Sequence, residues 1–195
     1  VNKQYWIYGD QGLSIQNPYW TMYRMNRNAD RKRYMLTSSL KYNFSNDLNI
    51  TGRVNVDNMN LQSTDNRYAS TLGALAGPKG RHNLTTREER QVYADLIATY
   101  TKNFDPFNIN INAGASIKDK RMNAYTIEGD LQQIINYFSI ENMNRAVGTF
   151  KTDQDGLKRQ TQSVFANAEI GYKNYLFLTL TGRNDWDSAL AWSQS

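Results

Sequence analysis

Three stretches of this chain alternate apolar and polar residues with a strict period of two, and each reverses on itself through a short turn. In the first, Leu36, Leu40, Tyr42 and Phe44 share a face with Ser38, against Thr37, Ser39, Lys41 and Asn43. After Ser45-Asn46-Asp47 the pattern resumes, with Leu48, Ile50, Gly52, Val54 and Val56 on one face and Asn49, Thr51, Arg53, Asn55 and Asp57 on the other. The second pair sets Val92, Ala94, Leu96, Ala98 and Tyr100 beside Phe107, Ile109, Ile111, Ala113, Ala115 and Ile117. The third joins Val164, Ala166, Ala168, Ile170 and Tyr172 to Leu176, Leu178 and Leu180. Successive side chains of a strand point to opposite faces, so this is the period of β-structure. Ile170 and Leu176 share a face only across an odd loop such as Tyr172-Lys173-Asn174, and three-residue hairpin loops are common. The reading is an all-β, antiparallel segment of about six strands in three hairpins.

Alternation by itself is commoner in a soluble antiparallel β-sandwich, whose apolar face is a core and whose loops would bind carbohydrate or protein. Two further features turn the argument toward a membrane. The turns near 45–47, 102–105 and 172–174 are short, whereas the connections at about 58–91 and 119–162 are long. Compact soluble domains rarely carry structureless connections of that size, while outer-membrane barrels pair short turns with long extracellular loops. Each alternating run is about 10 residues, which at a tilt near 40° rises about 25 Å, the height of a transmembrane apolar band. Tyr42, Phe44, Tyr100, Phe107 and Tyr172 gather on the apolar face at the short-turn end, as an interfacial aromatic girdle would. The opposite face, rich in Asn, Thr, Ser, Lys and Arg, suits a wet lumen. A mean hydropathy of −0.72 and the lack of any apolar run of about 18 residues argue only against membrane helices.

Few residues invite chemistry. There is no cysteine, and the one histidine, His82, lies in a Gly/Pro/basic stretch that reads as a solvated loop. Glu88-Glu89 and Asp153/Asp155 read as solvated loop acids. Thr85 or Thr86 ahead of that glutamate pair could cap a short helix. Asp153-Gln154-Asp155-Gly156 reads as a turn, because Gln162 stands where a calcium loop needs an acid. No catalytic pair and no cofactor is implied. The net charge of +5 is spread without a basic block, so no nucleic-acid interface is expected.

Several segments resemble one family. Asn17-Pro18-Tyr19-Trp20, Leu48-Asn49-Ile50-Thr51-Gly52-Arg53-Val54, Phe138-Ser139-Ile140-Glu141-Asn142 and the run Gly171–Trp186 occur in the order found in SusC/RagA-type outer-membrane transporters of Bacteroidetes. The resemblance implies that residues 1–195 are an internal piece of one transmembrane barrel domain of about 22 strands, without its plug or TonB-contacting segment. It implies TonB-dependent uptake of oligosaccharides or oligopeptides across the outer membrane, with a SusD-like surface lipoprotein as partner. Among loop aromatics, which also include Tyr5, Trp6, Tyr8 and Trp192, the preferred substrate-contact candidates are Trp20, Tyr137 and Trp186, each near a recognisable segment. Arg53, Asp95, Glu169 and Arg183 point to the polar face, where pairing with other wall or plug residues is expected.

Overall fold

A short helix leads into the sheet. In α1 (Pro18–Arg24) the Asn17 side chain caps the first turn by accepting from the Tyr19 amide at 3.0 Å, and proline occupies the position where its missing N–H costs nothing. Six strands follow: β1 (Met25–Asn43), β2 (Leu48–Tyr68), β3 (Gly80–Phe104), β4 (Phe107–Asp130), β5 (Lys151–Tyr172) and β6 (Leu176–Asp187). They form one antiparallel sheet in sequence order. The computed structural model describes residues 16–189 apart from Val147 and Asn174, so Tyr5, Trp6, Tyr8 and Trp192 lie outside the described residues. The register of β5 with β6 pairs Tyr172 with Leu176, Ile170 with Leu178 and Ala166 with Gly182, which puts the apolar residues of both strands on one face.

The strands are much longer than the alternation suggests. β3 has 25 residues, about two and a half times what the apolar band requires. The connections expected at about 58–91 and 119–162 are therefore mostly strand, and the segments outside the strands shrink to 69–79 and 131–150. The reason is that these extensions are polar on both faces, so hydrophobic periodicity does not mark them. Cross-strand bonds hold them instead: Arg27 to Asp65 at 3.0 Å, His82 to Asn66 at 2.6 Å and Thr85 to Thr126 at 3.1 Å. The same correction removes three local readings. Thr85 and Thr86 cap no helix, Glu88 and Glu89 are strand residues, and Asp153–Gly156 lies inside β5 rather than in a turn.

The chain divides into two compact units. The first takes residues up to Lys32, 59–88 and 123–156; the second takes 33–58, 89–122 and the residues from Leu157 on. The first has a small interior built from Trp20, Ala76, Leu131 and Met143. The indole N–H of Trp20 donates to Thr71 Oγ1 at 3.0 Å, so its one polar atom is satisfied on burial. His82 belongs to this interior too. It is buried, not a solvated loop residue, and its ring lies 6.2 Å from that of Phe138. Gly80 adopts φ +107° at the entry to β3, a conformation open to glycine but costly for other residues, and its carbonyl accepts from the Leu131 amide at 2.8 Å.

The second unit is built the other way round. Its apolar face carries Leu40 at 76% exposure, Leu178 at 56% and Ile111 at 39%, and among the described residues no second sheet packs on it. A sandwich would bury these side chains. At the short-turn end of that face the aromatics meet edge to edge or tilted: Tyr42 with Phe44 at 4.7 Å, Phe107 with Tyr172 at 5.2 Å, and Tyr172 with Tyr175 at 5.8 Å. Lys102 pairs with Asp47 beside them.

Candidate functional site

The polar face of the second unit is organised by arginine–aspartate pairs. Arg53 grips Asp95 with both Nε and Nη2, at 2.9 and 2.8 Å. Arg33 holds Asp57 at 2.9 and 2.7 Å, and Arg159 holds Asp187 at 3.0 and 2.8 Å. Arg183 bonds Asp185 at 2.9 Å and the Ser163 hydroxyl at 3.1 Å, while its guanidinium lies 5.9 Å from the Phe165 ring. Bidentate pairing matches the planar fork of guanidinium to the two oxygens of a carboxylate.

The two partners of a pair are not equally accessible. The Arg53 side chain is 50% exposed and that of Asp95 is fully covered. Arg33 with Asp57 and Arg159 with Asp187 repeat the inequality. In these three pairs the carboxylate is sunk against the sheet and the guanidinium edge stands forward, whereas Asp185 is nearly as exposed as Arg183. The face is thus close to neutral by count and donor-rich by presentation. It can offer N–H groups to carbonyls, carboxylates or hydroxyls. Glu169, opposite Thr179 on the same face, is exposed. Gly114 lies under Phe165: a Cβ there would stand 2.7 Å from the Leu96 carbonyl and 2.8 Å from the Phe165 ring. A glycine lets the ring cover the strand closely.

The first unit presents a different surface. Asn142 accepts from the Gln133 and Ile134 amides, both at 3.0 Å, and donates to the carbonyls of Ile134 at 2.7 Å and Tyr137 at 2.9 Å. Lys79 Nζ reaches the Gln132 carbonyl at 2.7 Å, and Asn136 Oδ1 accepts from the Ala69 amide at 2.7 Å. These bonds tie residues 132–142 together, with Ile134, Ile135 and Tyr137 exposed at their surface. Phe138 packs on Tyr68 at 5.0 Å, and Arg24 covers the other ring at 5.2 Å. Burial alone would raise the pKa of Asp65, but hydrogen bonds and charge from Arg67 and Arg27 outweigh it and hold the group below its ordinary range. Burial pushes His82 down.

The aromatic candidates fall in three different settings. Trp20 is buried, with both its body and its N–H committed to the first unit. Tyr137 is open to solvent on the 131–150 segment. Trp186 pairs with Gln162 and shares parity with Leu176, Leu178 and Leu180, so it stands on the apolar face and not on the polar one. Neither the arginine pairs as a set nor the Asn142 hub was found by sequence reasoning; Arg53, Asp95 and Arg183 were placed on the polar face, but their partners lie on other strands or two residues away and no motif links them. Among the described residues no cluster of three metal-ligating side chains occurs, and no helix is long and apolar enough to cross a membrane.

No family model and no curated protein matches this sequence. Solved structures do. One of the RagAB peptide transporter superimposes with a TM-score of 0.82 at 13% identity, over 97% of this chain and 21% of that one. The RagAB peptide importer in its open-open state gives 0.72 at 14% identity, over 96% and 20%. The closed-closed state gives 0.68 at 14%, over 96% and 21%. The chain therefore spans about a fifth of the length of the solved chains it matches. At this identity the likeness is one of fold: the six-stranded antiparallel sheet is shared with a stretch of those solved chains.

Proposed function

We propose that this chain forms part of the wall of an outer-membrane importer of the SusC/RagA type, with the second unit at the level of the bilayer and the first unit contributing extracellular structure. The observation that carries the proposal is the exposed apolar face of the second unit. Leaving Leu36, Leu40, Val54, Leu96, Ile117, Val164, Leu178 and Leu180 in water would forfeit about 1.5–3 kcal/mol for each side chain that burial would otherwise recover. Lipid removes that penalty. It also explains why the charged pairs sit on the opposite face, where a water-filled interior would solvate the guanidinium edges.

Under this reading the cargo is an oligopeptide or an oligosaccharide. The structures of similar fold are of a peptide transporter, which favours the peptide. A donor-rich wall suits peptide carbonyls and C-termini, and equally the hydroxyls of sugars. Energy from TonB and a SusD-like lipoprotein partner belong to the same proposal. The exposed Ile134, Ile135 and Tyr137, on the stretch that Asn142 ties together, are the contact we assign to cargo or lipoprotein. Trp20 supports the first unit from inside, and Trp186 marks the upper edge of the apolar band. The chain has no enzymatic role in this account.

Fractionation of cells expressing the full-length protein tests the reading. The protein should remain with the outer membrane until detergent is added, and Tyr137→Ala should reduce uptake of labelled peptide severalfold while Asn110→Arg on the polar face leaves assembly intact. Recovery of the full-length protein in the soluble fraction would end the proposal.

A further inference from the structure

On the apolar face of the second unit, just beyond the apolar band, three cations stand in one row across adjacent strands. Thr99 bonds Asn112 at 2.8 Å and Thr85 faces Thr126 at 3.1 Å; the one register that satisfies both sets Arg90 of β3 opposite Arg121 of β4. The Lys173 amide donates to the Pro106 carbonyl at 2.8 Å, and a Cβ on Gly171 would lie 3.7 Å from the Asn108 side chain. That register sets Lys158 of β5 on the far side of Arg121. By parity Arg90 belongs with Val92 and Leu96, Arg121 with Ile117, and Lys158 with Val164, so all three project from the lipid-facing side, and all three are exposed.

Like charges on directly opposed strand positions destabilise a sheet, so an uncompensated row of this kind is unfavourable. Two carboxylates share the face nearby. Asp119 is 3.0 Å from Arg121, and Glu88 is exposed further along β3. They leave the row net positive, with Arg90 and Lys158 on either side of the one paired arginine.

A second feature lies directly below. Ala94 and Ala115, flanked by Leu96, Ile117 and Val164 and walled by Trp186, leave an apolar cleft of about 340 Å³ in the same face. Its upper residue on β4, Ile117, is four positions below Arg121, about 13 Å along the strand. A cationic row at headgroup depth over an apolar slot at acyl depth matches one kind of molecule, an amphiphile with an anionic head and an apolar tail.

We propose that this face binds a phosphorylated membrane lipid, with Arg90, Arg121 and Lys158 around the phosphate and an acyl chain in the cleft beside Trp186. The inference rests on the membrane placement proposed above. Charge complementarity selects the head, because guanidinium and ammonium groups bind phosphate by charge-assisted hydrogen bonds. The cleft selects a lipid over free phosphate, since inorganic phosphate has nothing to place there.

The test uses full-length protein reconstituted in phosphatidylcholine bilayers with spin-labelled phosphatidic acid or spin-labelled phosphatidylcholine as probe. The motionally restricted fraction should favour phosphatidic acid by about fivefold or more, a size set by the attraction of each interfacial Lys or Arg for anionic lipid. The combined Arg90→Gln, Arg121→Gln and Lys158→Gln variant should bring the two probes to parity, and Lys118→Gln, on the opposite face of β4, should leave the preference unchanged. Ala115→Leu should weaken retention of phosphatidic acid by filling the cleft. Equal association of both probes with the unaltered protein, or displacement of phosphatidic acid by excess inorganic phosphate, would overturn the assignment. Outer-membrane residence without lipid preference would remove this site alone, whereas a soluble full-length protein would remove the reading beneath it as well.

Discussion

The two units of the chain use the same strands to opposite ends. The first buries Trp20, Leu131 and Met143 and satisfies its interior polar groups, Thr71, His82 and Asn142, with hydrogen bonds. The second buries Asp95 and Ser163 and leaves leucines outward. One unit covers a core of large apolar side chains; the other leaves its own open on one face and sets its bidentate ion pairs on the opposite face. A single sheet can serve both because the backbone hydrogen bonds that join its strands are the same whichever side chains project from them. The backbone ladder continues while the chemistry of each face changes along it.

The contrast can be broken by moving one charge. Leu40→Arg in the full-length protein should cost about 2–4 kcal/mol of stability in lipid if it sits near the midplane. Ile134→Arg, also at an exposed apolar residue but on the first unit, should stay within about 0.5 kcal/mol. Urea titration of the reconstituted protein measures both, and equal costs would mean that the two exposed surfaces share one solvent. The contrast is sharpened by Asn142→Ala, which removes four hydrogen bonds from segment 131–150. It should lower local stability by about 2 kcal/mol and speed amide exchange at Gln133 and Ile134, with the strands of the second unit unaffected. The smallest effect is one of pH. Burial holds the His82 pKa below its ordinary value, so the unfolded form takes up a proton first. The stabilisation is complete above about pH 6.5 and declines as pH falls toward the lowered native value. His82→Gln should flatten that decline in the first unit, as read by amide exchange at pH 7 and pH 5.

Legibility followed the same division. The apolar half of each strand announced itself through its strict alternation, as with Val92 through Tyr100. The polar half did not: in β2 the stretch after Asp57 offers Asn58, Asn60 and Asp65, which resemble loop residues until their partners across the sheet are known. His82 read as solvated because its neighbours in sequence are Gly80 and Arg81, whereas its neighbours in space are Asn66 and Phe138. The arginine pairs failed for a related reason. Arg53 and Asp95 are 42 positions apart, and no local spacing encodes a contact that register alone creates. Trp186 was legible as an aromatic near a strand end, but which face it takes follows from its pairing with Gln162.

The forward-standing guanidinium edges carry a consequence for pH. Arginine keeps its proton in every medium a cell surface meets. A face built on it offers the same N–H donors wherever the fold persists, so acid responsiveness falls to His82 in the first unit.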